Sequence, residues 1–284
     1  MTMKITASVT EGDRHLKDVY SLLFYNGKLY SSSEDGKVKV WGTDLRLQGV
    51  IDAHKSVVYH IAAIKDTIYS CSNDGTVKAW DINTLKHKKT LMNSEDEISR
   101  LFVADGVLYA GDDQGCITVF ENDEVKLVYN LVEEVRDFAV VGNLIYTIRD
   151  RDLVITEMLP GESKRVVTRH TMEGSSPMCI VGNKLCFATR TASAIAVYDN
   201  NKEAHYKYLA ELQGHSMIIN ALCGNNSTLY SGSWDKTVKQ WDLETCKCTA
   251  TGELDYCINA LAIGPQGEVY AGGANGLISR LDSK

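Results

Sequence analysis

The feature that most constrains the fold is an internal repeat. Residues 29–41 read LYSSSEDGKVKVW, and the same frame returns as IYSCSNDGTVKAW at 68–80 and as LYSGSWDKTVKQW at 229–241. Each copy holds two alternating β-segments around an acidic tight turn, a pattern typical of a β-hairpin. A sheet built from so short a unit cannot bury both of its faces alone, so the sequence predicts that the units stack on one another.

Less similar copies of the repeat occur along the rest of the chain at nearly the same spacing. One position, which we call the repeat aromatic, recurs at spacings of 39, 40, 37, 41, 43 and 40 residues. Seven units at this spacing fill the 284 residues, so we expect a single domain over residues 1–284, almost entirely strand and turn. The repeat aromatics are Tyr30, Tyr69, Tyr109, Tyr146, Phe187, Tyr230 and Tyr270.

The repeats resemble those of the WD40 family, most closely in units one, two and six. In that family a His before the first strand, a Ser in the second, an Asp in the next turn and a Trp in the third form a hydrogen-bonded network. The resemblance implies an all-β fold, a seven-bladed WD40 β-propeller. The matching residues are His15, Ser31, Asp35 and Trp41; His54, Ser70, Asp74 and Trp80; and His215, Ser231, Asp235 and Trp241.

A His, a Ser and an Asp also invite a catalytic-triad interpretation. Three parallel copies, each ending on a Trp, favour a structural role instead. Units four and five have lost the network, since Arg151 and Ala192 stand at the Asp position and Glu157 and Tyr198 at the Trp position.

The two ends of the sequence predict how the propeller closes. Few residues follow Leu281, so the last unit lacks a fourth strand of its own, whereas an alternating stretch at residues 3–9 precedes the first unit. Unpaired strand edges are unfavourable. We expect residues 3–9 to pair with the last sheet and close the ring, as propellers of this family usually do.

Composition argues against several classes of function. The net charge of −7 is opposite to what direct binding of nucleic acid needs. No apolar run reaches the roughly 20 residues of a membrane-spanning helix, and the N-terminus lacks a secretory h-region. The eight cysteines indicate reduced, buried thiols in an intracellular protein, and no pair has zinc spacing. We therefore expect no metal, no cofactor and a cytoplasmic location, with the nucleus as the alternative.

The resemblance also implies a binding face, formed by the third and fifth residues after each network His and the residue before each turn Asp. Exposed aromatic side chains there are typical of partner contacts, and Trp234 is the leading candidate, although packing on the next blade remains the alternative for it. Acidic residues on this face favour a partner segment with Lys or Arg around an apolar residue. The predicted contacts are Asp18, Tyr20, Glu34, Val57, Tyr59, Asp113, Arg136, Ile218, Asn220 and Trp234.

The sequence thus predicts a non-catalytic interaction scaffold or adaptor, a monomeric propeller within a larger complex. An alternative is a phosphopeptide-recognition module that uses Arg136, Arg149 and Arg190, although interleaved acidic residues favour internal ion pairs there. An enzyme is the third class. Three of the seven histidines belong to the predicted networks and the others are scattered, with no pair at ligand spacing, which argues against an enzyme.

Overall fold

A computed structural model describes residues 1–131, 133–159 and 165–283. These residues form seven four-stranded antiparallel sheets, which we call blades one to seven. Blades one to four comprise β2 (Val19–Tyr25), β3 (Lys28–Ser33), β4 (Lys37–Trp41), β5 (Leu47–Asp52); β6 (Val58–Ile64), β7 (Thr67–Ser72), β8 (Thr76–Asp81), β9 (His87–Asn93); β10 (Ile98–Ala104), β11 (Val107–Asp112), β12 (Cys116–Glu121), β13 (Glu124–Asn130); and β14 (Asp137–Val141), β15 (Leu144–Arg149), β16 (Asp152–Met158), β17 (Val166–Glu173).

Blades five to seven complete the set, and the fold is that of a seven-bladed β-propeller. Their strands are β18 (Ser175–Val181), β19 (Lys184–Ala188), β20 (Ala194–Asp199), β21 (Tyr208–Gln213); β22 (Ile219–Asn225), β23 (Thr228–Ser233), β24 (Thr237–Asp242), β25 (Lys247–Glu253); and β26 (Ile258–Ile263), β27 (Val269–Gly273), β28 (Ile278–Ser283) with β1 (Met3–Ser8). Among the described residues, no helix has the length and hydropathy to cross a membrane.

Blade seven is built from both ends of the chain. Strand β1 pairs antiparallel with β28, so that Met3 lies opposite Ser283 and Ile5 opposite Leu281. The pairing continues past the strand, where the Val9 amide donates to the Ile278 carbonyl at 3.0 Å. The predicted closure by the N-terminal strand is confirmed.

The repeat frame has a direct structural meaning. All seven repeat aromatics lie in the second strand of their blade, and each is buried. Every residue of β7 is buried, whereas every residue of the outer strand β9 is exposed or half-buried. A second strand is covered on both faces, which is why it carries apolar and small residues throughout rather than a simple alternation.

Two compact units can be distinguished in the chain, and each has its own core. The first comprises Met1–Ser31, Val40–Gln48 and Gly174–Lys284, and its clusters pack around Trp41, Tyr230, Trp241 and Tyr270. The second comprises Ser32–Lys39 and Gly49–Glu173, with clusters around Tyr69, Phe120 and Phe138.

The acidic turns require a residue with a left-handed backbone conformation, that is, a positive φ angle. Gly75 has φ +77°, and a Cβ added there would meet the Ser94 carbonyl oxygen at 2.0 Å. Glycine therefore avoids both a steric clash and an unfavourable backbone conformation at this turn. In blade six the corresponding left-handed residue is Lys236, with φ 67°.

Candidate protein-interaction site

The predicted network is fully connected in blade six. His215 Nε2 lies 2.7 Å from Ser231 Oγ, and Trp241 Nε1 donates to the same Oγ at 2.8 Å. His215 Nδ1 lies 2.8 Å from the Asp235 carboxylate, which also accepts from the Thr237 hydroxyl at 2.7 Å. These contacts join the turn after β23 to the loop before β22.

Donor and acceptor requirements assign the protons in this network. Because a carboxylate only accepts, His215 Nδ1 must carry the proton, and Nε2 then accepts from Ser231. Burial lowers the pKa of His215, so the ring is neutral and this tautomer is complete. Burial alone would raise the pKa of Asp235, but hydrogen bonds from Thr237, His215 and the Ser216 amide lower it. The network therefore fixes the turn, and Ser231, which is fully buried and also accepts from Trp241, is inaccessible from solvent.

Blade two repeats this arrangement. His54 Nε2 lies 2.7 Å from Ser70 Oγ, Trp80 Nε1 donates to that Oγ at 2.9 Å, and His54 Nδ1 lies 3.2 Å from Asp74 Oδ2. Burial lowers the pKa of His54 to about 4.

In blade one, His15 Nε2 and Trp41 Nε1 each lie 2.8 Å from Ser31 Oγ. Asp35 accepts from the Lys37 amide at 3.0 Å. Blade five, without a network, instead stacks Tyr198 on Phe187, with ring centroids 5.3 Å apart.

Trp234 occupies the tip of the turn that the blade-six network holds. The Lys236 amide closes the turn on the Ser233 carbonyl at 3.2 Å, and Ser233 Oγ accepts from the Asp235 amide at 3.1 Å. The Trp234 amide donates to the Ile218 carbonyl at 2.9 Å. The backbone of Trp234 is thus fixed, while 40% of the residue remains exposed.

Hydrogen bonds link this turn to blade seven and then to blade one. The Cys257 thiol donates to the Trp234 carbonyl at 3.5 Å, and the Cys257 carbonyl accepts from the Ala274 amide at 3.0 Å. The next amide, of Asn275, donates to the Asp18 carboxylate at 2.9 Å. Strand β26 also packs beside both β22 and β2. We call this surface the six-seven-one face, defined by Asp18, Tyr20, Ile218, Asn220, Trp234, Cys257, Asn259 and Ala274.

Apolar side chains are exposed on and beside this face. Ile218 is 40% and Tyr20 42% exposed. Two further apolar residues outside the predicted set are exposed: Met217, at 49% beside Ile218, and Leu16, at 83% after His15. Both lie in a His-bearing loop, Leu16 one residue and Met217 two residues past the network His.

Asn220 and Asn259 form a pair in the wall of this face. Asn220, on β22, donates from Nδ2 to Oδ1 of Asn259, on β26, at 3.2 Å. Both residues are partly exposed. Asn220 was among the predicted contacts, and Asn259 is its counterpart on the neighbouring blade.

Five predicted contacts belong to the second compact unit: Glu34, Val57, Tyr59, Asp113 and Arg136. Val57, Glu34 and Asp113 are half-buried. Tyr59 is also half-buried, and its hydroxyl donates to the Glu97 carboxylate at 3.0 Å, so it is anchored within the protein. Arg136 is exposed and lies 3.6 Å from Glu134.

The arginines of the phosphopeptide alternative differ in accessibility. Arg190 is exposed, whereas the side chain of Arg149 is 10% exposed, donates to Thr147 at 3.1 Å and lies 3.9 Å from Glu133. A buried guanidinium with internal partners does not offer phosphate the two parallel N–H donors of a bidentate contact. Within residues 1–131, 133–159 and 165–283, no group of three or more His, Cys, Asp or Glu side chains could hold a metal ion.

Three segments of the sequence match a known repeat family. Residues 8–42, 45–81 and 206–242 each match the WD40 model, described as WD domain, G-beta repeat. These are blades one, two and six, the blades that carry the network. The chain contains WD40 repeats and folds as a seven-bladed β-propeller, a fold typical of protein-interaction scaffolds.

Known proteins resemble the chain in part of their length. Zinc finger CCCH domain-containing protein 62 of Arabidopsis thaliana is 36% identical over 74 residues, which is 25% of this chain and 18% of that protein. Ribosome biogenesis protein YTM1 of Yarrowia lipolytica is 23% identical over 234 residues, 78% of this chain and 40% of that protein. The matched part of the chain therefore spans less than half the length of either relative.

A solved structure matches the fold over nearly the whole chain. The WD40 β-propeller domain of Doa1 superimposes with a TM-score of 0.82 at 16% identity, covering 99% of this chain and 97% of that one. At this identity the likeness concerns the fold alone.

Proposed function

We propose that the protein is a non-catalytic scaffold that binds a partner protein on the six-seven-one face, with Trp234 as the central apolar contact. The observation that carries the proposal is the combination of a fixed backbone and an exposed indole at Trp234. A rigid, exposed aromatic loses little conformational freedom on binding, which is why such residues are frequent hot spots. The ribosome biogenesis protein among the relatives is consistent with work inside a larger assembly.

The charge of this face favours a basic partner segment. The Asp18 carboxylate accepts one backbone hydrogen bond and forms no ion pair within the part of the chain that the structure describes. A Lys or Arg of the partner would supply the missing cation and raise the association rate. We further propose a cytoplasmic location, since all eight cysteines are free thiols and disulfides are rare in that compartment.

A photo-crosslinking amino acid at position 217 of the full chain, which leaves the Trp234 indole in place, and at position 208 as a control, tests the proposal. Met217 is 49% exposed beside Ile218, and Tyr208 is 50% exposed on the outer strand of blade five, so the two positions match in exposure but only the first adjoins the face. A partner captured from position 217 but not 208 should then be titrated against purified protein. We expect Trp234→Ala to weaken binding by about thirtyfold or more, as loss of a hot spot of about 2 kcal/mol would.

The controls separate binding from folding. Tyr208→Ala should bind as the parent does, and both variants should melt within a degree or two of it. Asp18→Asn keeps an acceptor for Asn275 but removes the charge, so it should lower the association rate and its salt dependence. Unchanged affinity in Trp234→Ala would refute the proposed site, and unfolding of that variant would show that the indole serves packing.

A further inference from the structure

We infer that the six-seven-one face selects a partner segment with an Asn or Gln side chain, docked on the Asn220–Asn259 pair between an apolar residue at Trp234 and a basic residue at Asp18. This inference rests on the proposed function for the location of the site. What it adds is the chemistry of the middle position and the order of the three residue types.

The asparagine pair is only half satisfied. Asn220 Nδ2 donates to Asn259 Oδ1, and this bond uses one donor and one acceptor of the pair. Among the described residues, neither the Asn220 Oδ1 acceptor nor the Asn259 Nδ2 donors make a further side-chain hydrogen bond. Water can serve both atoms while the face is open, but a covering partner would displace that water.

The two open atoms require a group that both donates and accepts. A carboxylate only accepts, and an ammonium or guanidinium only donates, so a charged residue would leave one open atom unsatisfied. An apolar residue would leave both unsatisfied, at the full desolvation penalty of buried polar groups. A hydroxyl both donates and accepts, but it does so from one oxygen atom, whereas a primary amide carries a carbonyl and an NH₂ as two separate groups on one carbon and can serve both atoms.

A backbone peptide group is a poorer match. In a trans peptide the N–H and the C=O point in opposite directions, so one peptide unit presents either the donor or the acceptor to a given surface. The side chain of Asn or Gln presents both on the same edge. The pair therefore favours a side-chain amide over a stretch of plain backbone.

The neighbours of the pair set the order of residues. On the blade-six side lie Trp234 and Ile218, joined by a backbone hydrogen bond of 2.9 Å. On the blade-one side lies Asp18, held by the amide of Asn275. A segment that crosses from blade six to blade one thus meets an apolar surface, then the amide pair, then a carboxylate.

Synthetic peptides of defined composition, titrated with the full chain, test the residue type at the middle position. Each peptide carries Ile, then Gln, then Lys, separated by glycine spacers of increasing length, and a matched series replaces Gln by Met, Glu or Lys. Affinity is measured by fluorescence polarisation. We expect the Gln peptide of the best spacing to bind about tenfold more tightly than its Glu or Lys counterparts, each of which leaves one polar atom unsatisfied. The Met peptide, which leaves both atoms unsatisfied, should bind more weakly still.

A pair of variants assigns the preference to the asparagines. Asn259→Asp keeps the acceptor for Asn220 but replaces the open donors by a carboxylate oxygen, so the preference for Gln over Lys should disappear. Asn226→Asp makes the same change of charge in the turn at the opposite end of β22, and the preference should remain. The peptide substitutions test the parent protein directly, so the result does not depend on either variant folding.

The outcomes separate this inference from the proposal beneath it. Binding that is lost in Trp234→Ala but shows no preference for Gln would overturn the amide selectivity and leave the interaction site standing. Absence of any Trp234-dependent binding at every spacing would overturn both.

Discussion

The buried histidine of blade two makes the stability of the protein depend on pH. Burial lowers the pKa of His54 from 6.5 to about 4, because a charged imidazole would lose its hydration there. As the pH falls below 6.5, the unfolded chain takes up a proton that the folded ring does not bind. Protonation therefore favours the unfolded state, and the free energy of unfolding falls as the pH is lowered from 7 towards 4.

The size of this effect follows from the two pKa values. The linkage relation gives a loss of about 2 kcal/mol between pH 7 and pH 5 from His54 alone. The lowered pKa of His215 acts in the same direction. The pKa of Asp74 is also lowered in the folded state. Its carboxylate therefore stabilises the folded protein at pH values above 3.8, and this contribution is lost only at still lower pH.

The variant His54→Asn isolates the contribution of this ring. It keeps a donor near Asp74 but cannot take up a proton, so its stability should fall by about 2 kcal/mol less than that of the parent between pH 7 and pH 5. Urea unfolding at several pH values, followed by tryptophan fluorescence, measures the difference. His205→Asn is the control, since His205 is exposed. A decline as steep in His54→Asn as in the parent would refute the assignment.

Three further predictions concern the fold, and chemical or thermal denaturation measures each. Trp80→Phe should cost about 1–3 kcal/mol, because it removes the donor to buried Ser70, whereas Tyr198→Phe, which keeps its stacked ring, should cost less; equal losses would contradict this. Gly75→Ala should destabilise by about 1–3 kcal/mol more than Gly106→Ala. The two glycines have φ +77° and +76°, but a Cβ meets the Ser94 oxygen at the first and nothing within 4 Å at the second, so similar losses would rule out the steric reason. Deletion of residues 1–9 should lower the melting temperature sharply, and a shift of about a degree or two would argue against the role of β1.

The repeat was sufficient to predict the blades. The spacing of Tyr30, Tyr69 and their counterparts reports a local regularity, since each unit contains the strands and the turn that form its own sheet. The closing strand was also predictable, because an alternating stretch without a repeat of its own at one end matched a missing strand at the other. Its observed end at Ser8 differs by one residue from the expected Val9.

The candidate site was less predictable, because it depends on contacts between blades. Counting from the network His and the turn Asp proposed Ile218, Asn220 and Trp234, but it could not show that Asn220 bonds to Asn259 39 residues away. The same count proposed Tyr59 as an exposed contact, whereas its hydroxyl reaches Glu97 on the adjoining blade. Solvent exposure of such positions is decided by neighbours that the repeat does not specify.

Blade seven joins residues that are made at opposite times during translation. Met3 and Ser283 are paired although 280 residues separate them, and at about 5–20 residues per second the ribosome needs roughly 15 to 55 s to cover that distance. Throughout this interval β1 has no β28 to pair with and remains a strand with an open edge. A ribosome that stalls or stops early would therefore release a chain whose β1 is available to pair with another molecule, and chaperones that shield extended segments would act most usefully at this stage.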